Sequence, residues 1–340
     1  MSGLASADTK RPHFVPACYL RAWANDNDQV AMRRRGSPKA PTPNVNNVAV
    51  DAGIYGRGDA GQSREKIFGR LEEAWPELRT ALISKGGAVN SEIRASVSLF
   101  AAVQLARTRE HVAQIEFLNS FAQYSTRRPV TREDIRTFLA EKHLRCPPSD
   151  REVEAAWTYA YVTFNQGEPP SKDEVMGILL GSAVKEIGPR LARYGWIVEH
   201  CRKPMLFTND RPVMCWRPRS LRDRFEGVGV ETAEEIRMPL TPQNLLVIRP
   251  TGGANGIEDV QPRRFDRVNA AVASQCHEFV VATPGSAERL KLLPLAVHRP
   301  VLRFDMAPGI QKFPDGREEP MGDILHTWVP THADRVPKGK

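Results

Sequence analysis

The chain has 340 residues, of which 41% are hydrophobic and 26% are charged, and its net charge is +8 at pH 7. This composition is ordinary for a globular protein and provides for one large domain or two modest ones. No stretch approaches the roughly 18 consecutive apolar residues of a membrane span, and residues 1–11 lack the apolar segment of a signal peptide. We therefore expect a cytoplasmic protein with no membrane partner.

The N-terminal part is predicted to begin with a mobile arm over residues 1–11. A short helix within residues 13–25 should follow, and Pro16 suits its first turn. Residues 29–35 and 48–55 are predicted to be short strands, separated by a loop rich in proline and asparagine.

A helical block comes next, because apolar residues recur there at the spacing of amphipathic helices. The predicted helices cover residues 63–84, 91–123, 131–142, 149–164 and 171–193. A Ser or Thr with an acidic residue three positions later marks the start of each of the last three. The centre of the second helix is apolar on nearly every side, so it should lie deep in the core.

From residue 194 the chain changes to short apolar runs bounded by turn residues, which predict a mostly antiparallel sheet. The predicted strands cover residues 196–198, 205–207, 213–216, 245–248, 279–282 and 300–305. One helix over residues 262–274 interrupts them, and the tail over 332–340 is expected to be disordered. A helical middle followed by a strand-rich end predicts an α+β fold.

The five cysteines are widely scattered and include no Cys-x-x-Cys pair, which is typical of free thiols. The common catalytic signatures are also absent from the sequence. The net positive charge favours nucleic acid or another polyanion as a partner, and a solvated basic surface is the alternative.

The segment His-Phe-Val-Pro-Ala-Cys-Tyr-Leu-Arg-Ala-Trp over residues 13–23 resembles the opening of a bacterial family known as domain of unknown function 4238. Later segments resemble the family in the right order, and they include residues 104–108, 207–213, 238–242 and Asn269. The usual Ser-Asp pair of the family is Asn-Asp in this chain, a mild departure. The resemblance implies one family-like domain over residues 12–285 and no assigned activity. Within it we distinguish an N-terminal segment (12–62), a helical block (63–193) and a strand-rich part that extends to residue 304.

Three residues are candidates for catalysis. His13 precedes a helix start, where an imidazole can bind an anion or relay a proton, or merely cap the helix. Glu72 is a candidate base or metal ligand, or the partner of a buried arginine. Asp210 lies in an Asn-Asp-x-Pro sequence that suits an ordinary turn, although strand-end turns also display catalytic carboxylates. We predict that His13 and Asp210 approach each other and that the carboxylate raises the pKa of the imidazole.

A second group of residues is predicted to bind an anion or substrate. Gln104 and Arg107 share a face of the most apolar helix, where a guanidinium needs a carboxylate. A pair that only stabilises the fold is the alternative. The basic run after Asp210 predicts a phosphate-binding surface or, alternatively, a solvated basic face. The remaining candidates are Tyr19, Arg21, Arg217, Arg219, Arg222 and Asn269. A smaller basic cluster lies at residues 33–35.

Two functions follow from these residues. The first is an enzyme that acts on a phosphate-containing or nucleic-acid substrate, with a divalent metal ion as a candidate cofactor. The second is a non-catalytic binding or regulatory module in a bacterial stress or defence response, in which the same residues form a structural network. An open cavity lined by His13, Glu72, Arg107 and Asp210 would favour the enzyme. The module predicts carboxylates that are buried and already paired with arginines, with no adjacent cleft.

Overall fold

The structure is a computed structural model. It describes residues 12–51, 58–126, 130–143, 147–164, 171–218, 228–253, 255–297, 301–306, 311–312, 316, 318–319 and 324–329. The expected mobile arm and C-terminal tail lie outside the described residues. So does the second half of the strand predicted over 48–55, whose described part makes only an isolated bridge between Val50 and His13.

The N-terminal segment docks on the later part of the chain, as predicted. α1 (Ala17–Leu20) follows Pro16, whose φ of −58° is already close to the helical value. A 3-10 turn (Arg21–Trp23) continues it. β1 (Ala31–Arg34) pairs antiparallel with a strand near residue 280, so this segment is built into a sheet.

The helical block contains α2 to α8. Their bounds are α2 Gly58–Lys85, α3 Ser91–Ala106, α4 Arg109–Thr126, α5 Arg132–His143, α6 Asp150–Phe164, α7 Lys172–Ser182 and α8 Gly188–Arg193. The predicted capping box at Ser171 and Glu174 is present. Thr131 and Asp134 bond reciprocally before α5.

Two long predicted helices are in fact interrupted. The prediction of one helix over 91–123 is wrong, because Arg107 leaves helical geometry at φ −94° and ψ 35°. The hydroxyl of Thr108 then accepts the N–H of His111 at 3.2 Å and begins α4. The helix predicted over 171–193 is divided into α7 and α8 by a π-helical turn, Ala183–Ile187.

The strand-rich part holds the remaining elements. They are β2 Gly195–His200, β3 Thr208–Asn209, β4 Met214–Trp216, β5 Glu235–Thr241, β6 Asn244–Arg249, β7 Gly256–Asp259, α9 Pro262–Gln275, β8 Phe279–Ala282, α10 Ala287–Leu292, β9 Val301–Met306, β10 Gln311–Lys312, β11 Glu318–Glu319 and β12 Ile324–Val329. The fold is therefore α+β, as predicted.

The strands form two larger sheets and two pairs. The five-stranded sheet has the order β4-β5-β6-β2-β7 and is antiparallel except between β2 and β7. The three-stranded sheet has the order β1-β8-β3, and β9 pairs with β12. The strand predicted at 205–207 is wrong. There the side chain of Asn269 accepts the N–H of Phe207 at 2.8 Å and so replaces a strand partner.

The five-stranded sheet is covered on both faces. One face contributes Trp196 to the main core, together with Trp75 of α2 and Phe100 of α3. The other face contributes Val247 to a second core, together with Phe265 of α9. The helical block and the strand-rich part therefore share one core, and the N-terminal segment lies against it.

Candidate functional site

α2 directs a row of side chains toward α1. Phe68, Glu72, Trp75, Arg79 and Leu82 follow one another at spacings of four, three, four and three, which places them on one helix face. Three of them are buried apolar residues, whereas Glu72 and Arg79 are charged and half-buried. The helix thus carries two charges of opposite sign into its packed face, one turn on either side of Trp75.

Pro76 lies in α2 four positions after Glu72. A proline has no N–H to donate to the carbonyl four residues before it, and its ring crowds that carbonyl. The regular helical hydrogen bond is therefore missing at the backbone of Glu72. This irregularity coincides with the point where α2 presents the carboxylate.

The segment before α1 brings His13 to this face. The N–H of Phe14 donates to the carbonyl of Ala49 at 2.9 Å, and His13 forms a bridge with Val50. The ring of Phe14 lies 6.2 Å from that of Phe279, centroid to centroid. These contacts fix the backbone on both sides of the imidazole.

Arg107 anchors Glu72 from the end of α3. Its guanidinium is 1% exposed, and Nη1 donates to Oε1 of Glu72 at 2.9 Å. The amide of buried Gln104 fits when its oxygen faces the guanidinium, where it accepts from Nε at 3.1 Å and from Nη2 at 2.6 Å. The Arg107 guanidinium also lies 4.9 Å from the ring centroid of Phe68. The carboxylate of Glu72 keeps 28% of its side chain exposed.

The charges of this ion pair act on the pKa of His13. Burial lowers the pKa of His13, the charge of Glu72 opposes that shift, and the charge of Arg107 reinforces it. Hydrogen bonding to the backbone of Asn46 and Val45 also opposes the shift. The expected rise in the pKa of His13 is therefore wrong, because desolvation outweighs the nearby carboxylate. The imidazole is neutral at pH 7 and able to accept a proton.

Cys18 and Arg79 complete the cluster. The carbonyl of Cys18 accepts a long bond of 3.5 Å from Nη1 of Arg79. Burial raises the pKa of the Cys18 thiol to about 12, and the charge of Glu72 adds to this. Burial lowers the pKa of Arg79, and the groups that oppose this are Cys18 and Tyr19, both neutral at pH 7. Among the described residues, no carboxylate neutralises Arg79.

We call this cluster the His13 site. It consists of His13, Cys18, Glu72, Arg79, Gln104 and Arg107. It contains one described carboxylate, which is bonded to Arg107, and two guanidinium groups, so at pH 7 the cluster carries one excess positive charge. Chemically it offers a neutral base, a carboxylate held by an arginine, and a cation without a counter-charge among the described residues.

Asp210 belongs to a different environment. Its buried carboxylate accepts the N–H groups of His277 at 2.8 Å and Phe279 at 3.3 Å, and also that of Glu278. Burial raises its pKa to about 6, against the effect of the bonds from His277 and Glu278. Both oxygens hold the turn between α9 and β8 against the end of β3. The carboxylate that acts on His13 is instead Glu72.

Tyr19 and Asn269 are likewise engaged with the fold. The buried hydroxyl of Tyr19 lies 2.9 Å from Oγ1 of Thr208 and donates to the carbonyl of Pro239 at 2.7 Å. Asn269 bonds the backbone of Met205 and Phe207, both at 2.8 Å. Asn209 forms the expected turn by accepting the N–H of Arg211 at 2.8 Å. These side chains connect α1, α9 and the sheets.

The arginines predicted to bind anions have diverse surroundings. Arg21 is about half exposed, lies 3.5 Å from Asp28, and donates to the side chain of Asn46 at 3.4 Å. Since the backbone of Asn46 bonds His13, Arg21 lies at the rim of the His13 site. Arg217 is half-buried after β4. Arg219 and Arg222 lie outside the described residues.

The basic cluster at residues 33–35 stabilises the fold. Arg33 donates to the carbonyls of Leu290 and Lys291 at 3.0 and 2.8 Å, at the end of α10. Arg35 donates to the carbonyl of Cys276 at 2.6 Å, at the end of α9. Cations are favourable at helix C-termini, where carbonyl groups lack helical partners.

No group of three His, Cys, Asp or Glu side chains in the described part of the chain is arranged to hold a metal ion. No described helix has the length and apolar character needed to cross a membrane.

Cys18 and Arg79 are members of the site that the sequence did not predict. The apolar stripe that predicts α2 contains Ile67, Leu71, Trp75, Leu78 and Leu82. Trp75 and Leu82 are buried, whereas Leu71 and Leu78 are only half-buried. The signal for Arg79 was present, since it lies seven residues after Glu72 and four after Trp75. No sequence signal placed α1 against this face.

A family model described as "Protein of unknown function (DUF4238)" matches residues 11–286. The chain belongs to this family. The match confirms the resemblance drawn from the opening motif, and it spans the His13 site, Asp210 and Asn269. No curated protein and no solved structure matches the chain.

Proposed function

We propose that the protein is an enzyme that performs acid–base chemistry on a phosphate-containing or nucleic-acid substrate at the His13 site. One observation carries this proposal. The charges of Glu72, Arg107 and Arg79 all act on Cys18. A neutral histidine and a carboxylate held by Arg107 therefore share a cluster with Arg79, a half-buried cation that no described carboxylate neutralises. An anionic group of the substrate supplies the missing counter-charge.

Each residue has a distinct part in this scheme. His13 accepts a proton from the attacking nucleophile, which a neutral imidazole does near pH 7. Glu72, held in place by Arg107 and Gln104, stabilises the imidazolium that forms. Arg79 binds the substrate anion and stabilises the charge that develops on it. Arg21 at the rim extends the positive surface toward solvent.

The test measures turnover of p-nitrophenyl phosphate, bis(p-nitrophenyl) phosphate, single-stranded DNA and RNA, each with Mg²⁺ and with a chelator. We expect His13→Gln to lower kcat at least ~100-fold, the usual contribution of a general base. Arg79→Gln should mainly raise KM. The matched control is His200→Gln, since His200 bonds Asn244 at 3.0 Å on the five-stranded sheet.

The pH profile gives a second readout. Because the pKa of His13 lies below its ordinary value, activity should fall only as the pH drops below about 6.5. Turnover that His13→Gln leaves unchanged would reject this assignment. So would the absence of turnover on every substrate of the panel.

The non-catalytic module remains the second candidate. It is favoured by the buried, fully bonded state of Asp210, Tyr19 and Asn269, and a role in bacterial stress or defence belongs to it. It predicts that pyrophosphate or RNA binds without turnover, measured by calorimetry. Arg79→Gln should then weaken binding, whereas His13→Gln should leave it unchanged.

A nucleic-acid partner has its own test in the basic run. Replacing Arg217, Arg219 and Arg222 with Ala should lower the salt slope of DNA or RNA binding by about one unit for each lost phosphate contact. Equal binding by variant and wild type across a salt titration would exclude this surface. A cytoplasmic location is part of both candidates, and the four described cysteines, which are free thiols, support it.

A further inference from the structure

The outward face of α7 exposes an apolar side chain between opposite charges. Glu174, Ile178 and Gly181 follow at spacings of four and three on α7, and Lys185 lies in the π-helical turn that continues it. All four residues line the same groove and so form one row. Met176 lies on the opposite, buried side. The row lines a shallow groove of about 600 Å³ that is open to solvent.

The fold of the single chain does not explain this face. Ile178 is 67% exposed, although it stands in the middle of a helix that is anchored by a complete capping box. A Cβ at Gly181 would meet nothing within 4 Å. A glycine inside a helix costs about 0.5–1 kcal/mol relative to alanine, so internal packing gives no reason for it.

The row is complementary to itself. When two copies of α7 pack antiparallel about a two-fold axis between Leu179 and Leu180, Ile178 of each copy faces Gly181 of the other. The same operation places Glu174 opposite Lys185. One oxygen of Glu174 accepts bonds from Ser171, so the second oxygen is available to a cation. Lys185 is exposed, and it pairs with no described carboxylate.

We propose that α7 is a self-association surface, on which a second copy of this chain binds antiparallel with two Glu174–Lys185 ion pairs around an Ile178–Gly181 centre. A two-fold interface uses the same patch on both chains, and this pattern meets that condition. An eleven-residue helix pair is smaller than a standard interface, so we expect a dissociation constant between about 10 and 100 µM.

Sedimentation velocity from about 1 to 200 µM tests the proposal, and these concentrations bracket the expected constant. The wild type should shift from monomer to dimer across this range, and Ile178→Asp should remain monomeric. The control is Leu292→Asp, because Leu292 is 83% exposed on α10 and should leave the equilibrium unchanged. Circular dichroism verifies that each variant stays folded.

A charge exchange tests the pairing itself. Lys185→Glu should abolish the dimer, and the double variant Glu174→Lys/Lys185→Glu should restore it. A mixture of the two single variants should form a heterodimer, since every pair across the axis is then of opposite charge. A wild type that stays monomeric at 200 µM overturns the proposal and leaves this face to a different protein. A dimer that persists in Ile178→Asp overturns it equally.

Discussion

The pair formed by Glu72 and Arg107 predicts an unequal response to the loss of either partner. Replacing Arg107 with Met keeps most of the aliphatic stem but removes the guanidinium, together with its contact to the ring of Phe68. Gln104, which is 2% exposed, then keeps a buried carbonyl oxygen without its donors. Such an oxygen costs about 1–3 kcal/mol.

The ion pair between Arg107 and Glu72 contributes less to the free energy of unfolding than the bonds of Gln104 do. Because Glu72 keeps 28% of its side chain exposed, water can solvate its carboxylate when Arg107 is absent, and we assign the pair about 1 kcal/mol. The total for Arg107→Met is then about 2–4 kcal/mol. At about 2 °C for each kcal/mol in a chain of this size, the melting temperature should fall by about 4–8 °C.

Glu72→Gln should cost only about 1 kcal/mol, because the glutamine carbonyl still accepts from Nη1 of Arg107. The assay is urea unfolding at pH 7 followed by tryptophan fluorescence, for which the fully buried Trp23, Trp75 and Trp196 are suitable probes. If Glu72→Gln destabilises the protein as much as Arg107→Met, the assigned role of Gln104 is refuted. A nearly stable Glu72→Gln variant without activity would separate the function of Glu72 from its contribution to the fold.

Three further predictions concern groups around the site. Tyr19→Phe should cost about 1–3 kcal/mol in urea unfolding, since it removes both bonds of a buried hydroxyl; a loss below about 0.5 kcal/mol, the range of surface substitutions, would contradict this. Asn269→Ala should cost more than Tyr19→Phe in the same assay, because it leaves a buried N–H and a buried C=O unbonded. In an NMR titration, the pKa of His13 should lie below 6.5, fall further in Glu72→Gln and rise in Arg107→Met. Protonation of a group whose folded pKa is depressed favours unfolding. The contribution of His13 to the unfolding free energy should therefore decline as the pH falls from 6.5 through the folded pKa. A difference in unfolding free energy between wild type and His13→Gln that does not change with pH would contradict this.

Local chemistry was sufficient to predict most elements. The apolar periodicity of α5 and α6, the capping box of α7 and the helix over 262–274 depend on interactions within a few residues, which the sequence displays directly. The break at Arg107 was missed because the surrounding segment keeps its apolar pattern through it. There the hydroxyl of Thr108 starts a new helix, a competition that periodicity does not reveal.

β5 shows a different limit of prediction from sequence. Pro239 stands in the middle of this strand, and a proline ordinarily argues against a strand interior. Here the ladder of β5 and β6 shifts register between Pro239 and Thr241. The carbonyl of Pro239 binds the hydroxyl of Tyr19 from α1, 220 positions away. Only the packing of distant segments could make that arrangement favourable.

The sequence by itself determined the α+β order of elements, the docking of an apolar N-terminal segment, and the need of Arg107 for a carboxylate, since each follows from burying apolar area or pairing a buried charge. Tertiary structure decided which carboxylate that would be and what His13 would meet. It assigned Glu72 to the imidazole and enclosed Asp210 in backbone N–H groups of β8. It also left Arg79 without a described counter-charge beside Cys18. These outcomes depend on distances between residues far apart in the chain, which no local pattern encodes.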